Sequence, residues 1–121
     1  VSLSQNFYLD LSFRMAVIDV VGSHGGAILV DGAETSVDAV FAELGGKLLS
    51  QFASASNQVI AACNVVEGAF LPNLLRKFRT KDTRMARTIN LLEIAAPTPA
   101  LESQRSKYRK AISEIFSQKA N

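Results

Sequence analysis

The run Ala27-Ile28-Leu29-Val30, ending directly on Asp31, constrains this chain more than any other feature. Four consecutive apolar residues suit a strand buried on both faces, as in a parallel sheet covered by helices. Asp31 then stands at the carboxyl edge of the sheet, where open α/β folds place their ligands. A carboxylate there is suited to holding a hydrated magnesium ion beside nucleotide phosphates. An ordinary strand closing in an Asx turn is the alternative, since Asp31 and Gly32 are good turn formers.

Around this strand the sequence alternates helix and strand. Phe7, Leu11, Met15 and Ile18 recur at helical spacing and predict a helix over 5–21, with Ser4 as N-cap. Gly22 to Gly26 breaks it. Ser36 caps a second predicted helix over 37–53, with Val40, Phe41, Leu44, Leu48 and Phe52 on its apolar face. Gly45-Gly46 weakens that helix by about 1 kcal/mol per residue, which points to close packing on a neighbour. A second strand over 57–64 completes a right-handed crossover between parallel neighbours. Further helices are expected over 69–78, 83–95 and 100–117, the last burying Leu101, Tyr108, Ile112 and Ile115. The fold class is therefore α/β, with parallel strands flanked by helices and a helical carboxyl-terminal part. It is read as one domain over 1–121, divided into a lobe over 1–78 and helices over 79–121.

Composition agrees with a globular chain, at 48% hydrophobic and 20% charged residues. No apolar run approaches the roughly 20 residues that span a bilayer, and no signal peptide is visible. The single cysteine excludes an internal disulfide and suits a reducing cytoplasm. Beginning on Val instead of Met, the chain reads as a piece of a longer polypeptide. Charge is uneven: residues 1–70 hold two basic and seven acidic side chains, whereas residues 71–121 hold eleven basic and four acidic ones. The densest cluster is Arg76, Lys77, Arg79, Lys81, Arg84 and Arg87. It reads as a solvated helical face, without the interleaved aromatics of a stacking platform. Contact with nucleic-acid phosphates is the alternative.

Other chemistry finds little support. Ser23, His24 and Asp31 hold the residue types of a hydrolytic triad, but nothing supplies an oxyanion hole. Cys63 follows strand residues and reads as a small core side chain. His and Cys are too few for a zinc site. Gly22 to Gly26 lacks the Lys and Ser or Thr of a P-loop and precedes a strand, whereas a P-loop follows one.

Asp38 lies seven residues after Asp31, with Val37 before it. This spacing resembles the Walker B strand and D-loop of ATP-binding-cassette ATPases, in the branch of the structural-maintenance-of-chromosomes (SMC), RecF and RecN proteins. Ala33-Glu34-Thr35-Ser36-Val37-Asp38 is similar to the version reading Asp-x-Pro-Glu-x-Ser-Leu-Asp, whose acid three residues past the magnesium aspartate is Glu34 here. Gly32 stands where most relatives carry the catalytic Glu. Val1-Ser2-Leu3-Ser4-Gln5 resembles the signature motif, with Leu3 in place of the usual Gly. Asn57 to Asn64 resembles the strand ending in the switch residue, which makes Asn64 that residue. The likeness covers residues 1 to about 78.

The resemblance implies a partial P-loop NTPase-type lobe: the carboxyl-terminal half of an SMC/RecN-like head serving DNA repair or defence, inactive alone without its P-loop. In the complete head, with ATP and Mg²⁺ as cofactors, it implies Asp31 as the metal residue and Glu34 and Asn64 as catalytic residues. Ser2, Ser4 and Gln5 are implied at the phosphate of the opposing head and Asp38 at the head–head interface. A helix N-terminus favours an anion there through free N–H groups and its dipole. The implied partners are the missing amino-terminal P-loop lobe, a second head in a homodimer, and DNA. Two other readings stand beside it: a degenerate lobe kept for dimerisation or partner binding, and a stand-alone nucleic-acid-binding domain using the basic half.

Overall fold

A computed structural model describes residues 2–32, 39–64 and 69–117. The chain divides into two compact units, Val1–Arg76 and Lys77–Asn121.

The first unit runs α1 (Leu3–Val21), β1 (Ala27–Asp31), α2 (Ala39–Phe52), β2 (Gln58–Ala62) and α3 (Phe70–Leu74). β1 and β2 pair in parallel, with Ala27 opposite Gln58 and Asp31 opposite Ala62. The expected mixed α/β arrangement is present, with a short parallel sheet, flanking helices and a helical carboxyl-terminal region.

Helix α1 starts two residues earlier than its apolar spacing suggests, because Ser2 and not Ser4 caps it. The Ser2 hydroxyl accepts from the Gln5 amide at 3.2 Å, and the Gln5 side chain accepts from the Ser2 amide at 2.9 Å. This reciprocal box satisfies two donors that a bare helix end leaves orphaned. Ser4 falls inside the first turn and is buried. Leu11 and Met15 enter the core, with Phe7 and Ile18 packed against it. At about 100° per residue, Leu9, Phe13, Val17 and Val20 form a stripe on the opposite side, and all four are exposed.

The strands are buried on one face only, which corrects the expectation of two covered faces. Ile28 and Val30 are buried with Leu11, Met15, Ala42, Leu49, Phe52 and Phe70, and Val59 and Ala61 pack beside them. Leu29 and Ile60 point the other way and are 76% and 51% exposed. The cause is that α1 and α2 both contribute to one core, so the pleat sends alternate side chains away from it. Burying each large core side chain contributes roughly 1.5–3 kcal/mol.

The inward face of α2 is also rotated from expectation. Ala42, Leu49, Ser50 and Phe52 are buried, whereas Val40 and Leu44 are exposed. Gly46 explains the rotation: a Cβ there would lie 2.5 Å from the Phe70 carbonyl oxygen and 2.9 Å from Asn73 Cβ. The missing side chain lets the α3 backbone sit directly on α2, as the glycine pair suggested. Tyr8 and Phe41 add an edge-to-face contact at 6.2 Å between α1 and α2.

The second unit runs α4 (Lys81–Met85), α5 (Leu91–Ile94) and α6 (Pro99–Ser117). The helix expected over 83–95 is two short helices. Thr80 caps α4 in a box with Thr83, while the Asn90 side chain accepts from the Leu92 amide at 3.1 Å and starts α5. Thr88 turns its hydroxyl back onto the Arg84 carbonyl at 2.9 Å. Side chains of this kind compete with a continuous helical ladder. Pro99 opens α6, where its missing N–H costs nothing. Ile115 is buried as expected, joined by Phe116, while Leu101, Tyr108 and Ile112 are half-buried.

Candidate functional site

The parallel register creates one edge with a defined chemistry. Asp31 is the last residue of β1 and is exposed, and Ala62 ends β2 directly opposite. The ladder continues one step further, with the Gly32 amide donating to the Ala62 carbonyl at 3.0 Å. Asn64 follows two residues beyond β2, also exposed. Two of the sequence-predicted site residues, Asp31 and Asn64, therefore lie at the carboxyl edge of the same sheet.

Gly32 has a φ of 63°, in the left-handed region that disfavours side chains. A glutamate in this conformation would strain the backbone. Glu34 and Asp38 lie outside the described residues.

Ser2, Ser4 and Gln5 are at the start of α1, but their side chains have structural duties. Ser2 and Gln5 cap one another, and Ser4 is buried. His24 does not join Asp31: it sits in the turn before β1, about five strand residues, or roughly 16 Å, from the carboxyl edge. Cys63 packs against the core cluster. Among the described residues, no group of three or more His, Cys, Asp or Glu side chains is placed to hold a metal ion. Asp31 suits a single carboxylate acting through water on a hydrated cation, a role that needs further donors.

The amino end of the sheet is tied by Asn57, which the sequence marked only as the start of the second strand. Its side-chain oxygen accepts from the Gly26 amide at 3.2 Å and its amide nitrogen donates to Asp19 at 3.0 Å. The Gln58 amide donates to the Gly26 carbonyl at 2.8 Å. These bonds align the two strands and so set where Asp31 ends.

The basic cluster is not uniform. Arg84 is 4% exposed: its Nε donates to the Phe78 carbonyl at 2.7 Å, and its Nη1 to the carbonyls of Ile115 and Phe116 at 3.1 and 3.2 Å. It caps the end of α6, where a cation is favoured by the helix dipole. Arg84 is thus structural and not a surface charge. Phe78, between Lys77 and Arg79, is the aromatic that the reading of a plain solvated face left out. The Arg87 guanidinium lies over its ring at 5.3 Å. Elsewhere in the unit, Arg109 holds Glu93 through bonds of 2.8 and 3.0 Å. That hydrogen bond, more than the opposite charge alone, lowers the Glu93 carboxyl below its ordinary value.

No described helix is long and apolar enough to cross a membrane. Comparison with known protein families, curated proteins and solved structures returned no match to this chain.

Proposed function

We propose that this chain is the carboxyl-terminal lobe of an SMC/RecN-like ATPase head, one that needs a P-loop lobe to complete its sheet and its nucleotide site. The observation that carries the reading is the one-sided parallel sheet: Asp31 and Asn64 share its carboxyl edge while Leu29 and Ile60 leave its second face apolar and open. Parallel sheets are covered on both faces, so such a face calls for another layer. The exposed stripe Leu9, Phe13, Val17 and Val20 on α1 supports the same need.

In the complete head a bound ATP–magnesium complex supplies the scissile phosphate and its charge neutralisation. Asp31 would hold the metal through water, Glu34 would orient or activate the attacking water, and Asn64 would sense the terminal phosphate. Asp38 would act across a head–head interface, and the start of α1 would face the phosphate bound by the opposing head. A degenerate lobe kept for assembly is the second reading, favoured by Leu3 at the usual glycine position and by the capping that occupies Ser2 and Gln5.

Calorimetry with ATP and magnesium tests the half-site: this chain alone should give no micromolar binding, and such binding would overturn the proposal. In the polypeptide that carries the P-loop, Glu34→Gln should slow turnover by about 10²–10⁴-fold and prolong the ATP-bound dimer. Wild-type turnover in that variant selects the degenerate lobe.

A further inference from the structure

We infer that the segment from Lys77 to Arg87 is a contact surface for single-stranded nucleic acid, a property independent of the ATPase-lobe reading. Three observations converge on it. Buried Arg84 fixes the segment, clamping the Phe78 carbonyl and the last turn of α6 through one guanidinium. Around that anchor Arg79, Lys81 and Arg87 are exposed and, among the described residues, enter no ion pair. Arg105 and Arg109 of the same unit are instead engaged with Glu102 and Glu93.

The segment contains a single acid, Asp82. Lys81 opens the five-residue helix α4, with Arg79 two residues before it and Arg87 two residues past its end, so the three cations fall within nine residues of chain. Finally, Arg87 rests over the Phe78 ring at 5.3 Å. A guanidinium held in this way offers a planar surface on which an unstacked base can lie, while the other cations meet phosphates. Exposed Met85 lies within the segment and exposed Ile89 two residues beyond it, and an anionic membrane surface is the competing partner. The Arg–Phe pair favours nucleic acid, because a flat cation–aromatic surface matches bases and gives lipid headgroups no added contact.

The test is fluorescence anisotropy of the full chain with a labelled oligothymidylate, a duplex and phosphatidylglycerol vesicles. Two phosphate contacts on a single strand, from Arg79 and Lys81, predict an affinity loss of about sevenfold between roughly 50 and 200 mM salt. The triple variant R79A/K81A/R87A should bind at least about tenfold more weakly and lose most of that salt dependence. R87K keeps the charge and loses the planar group. It should therefore cost several-fold in single-strand affinity, leave the salt dependence intact and leave duplex binding unchanged.

Circular dichroism should report a folded chain in both variants, since neither touches Arg84. The proposal is overturned by failure of the chain to bind oligothymidylate at low salt, by unchanged affinity in the triple variant, or by R87K binding as tightly as the parent. Vesicle binding tighter than oligonucleotide binding would assign the surface to membranes and overturn it equally.

Discussion

Arg84 and Gly32 illustrate how a side chain's meaning depends on where the backbone puts it. In sequence Arg84 is one of six cations in a basic cluster; in the fold it is a buried bracket on three carbonyl oxygens. Arg84→Ala should destabilise the second unit by about 3 kcal/mol, since it strips hydrogen bonds from buried carbonyls and leaves a cavity. Arg84→Lys should rescue little, because an ammonium lacks the planar fork that reaches three acceptors. Urea denaturation of both variants checks this. Gly32 makes the reverse case: Gly32→Glu should cost about 1–2 kcal/mol at a φ of 63°. The Glu93–Arg109 pair carries a pH signature. The folded Glu93 titrates below its unfolded value, so its contribution is full above the unfolded value of about 4.3 and is lost as pH falls through the folded one. Unfolding midpoints of the parent and Glu93→Gln should differ at neutral pH and converge in acid. A constant difference down to the lowest pH would remove the pair from the account.

Among the elements, those with strong periodicity were legible in advance. β1, β2 and α1 follow from an apolar run and a helical repeat, and the glycine pair of α2 foretold its close neighbour. What escaped was relational. Burial on one face could not be read from Ala27 to Val30, because an apolar residue looks the same whether its cover is present or absent. The break between α4 and α5 depends on where Thr88 and Asn90 send their side chains, which local propensity leaves open. At the candidate site, Asp31 and Asn64 were visible as strand ends, but the capping roles of Ser2 and Gln5 required the geometry of the first turn. Two variants probe this scale. Gly46→Ala should destabilise the first unit by about 1–3 kcal/mol through overpacking against Phe70 and Asn73. Leu29→Lys should leave the stability of this chain within about 0.5 kcal/mol and impair assembly of the head proposed above. A large destabilisation of the chain alone would mean that the open face is already in use.

For the molecule as a whole, the division after Arg76 predicts where the chain is cut. Lys77 and Arg79 are exposed at the junction, so brief trypsin treatment should release fragments ending near Lys77 before Arg14 or Lys47 is attacked. First cleavage inside α1 would count against the boundary. The parallel pairing carries a consequence for how the first unit is made. The two sides of the sheet meet across long stretches of chain, as in the Gly26–Asn57 bond between residues 31 positions apart. Each such contact must first close a large loop, whereas the turns of α2 close locally. The strands should therefore come together late in folding, and their edge amides should be among the first to exchange with solvent deuterium. The carboxyl edge of the sheet would then be the last part of this unit to take shape, and a partner arriving at the open face would act on the folding reaction as well as on the folded product.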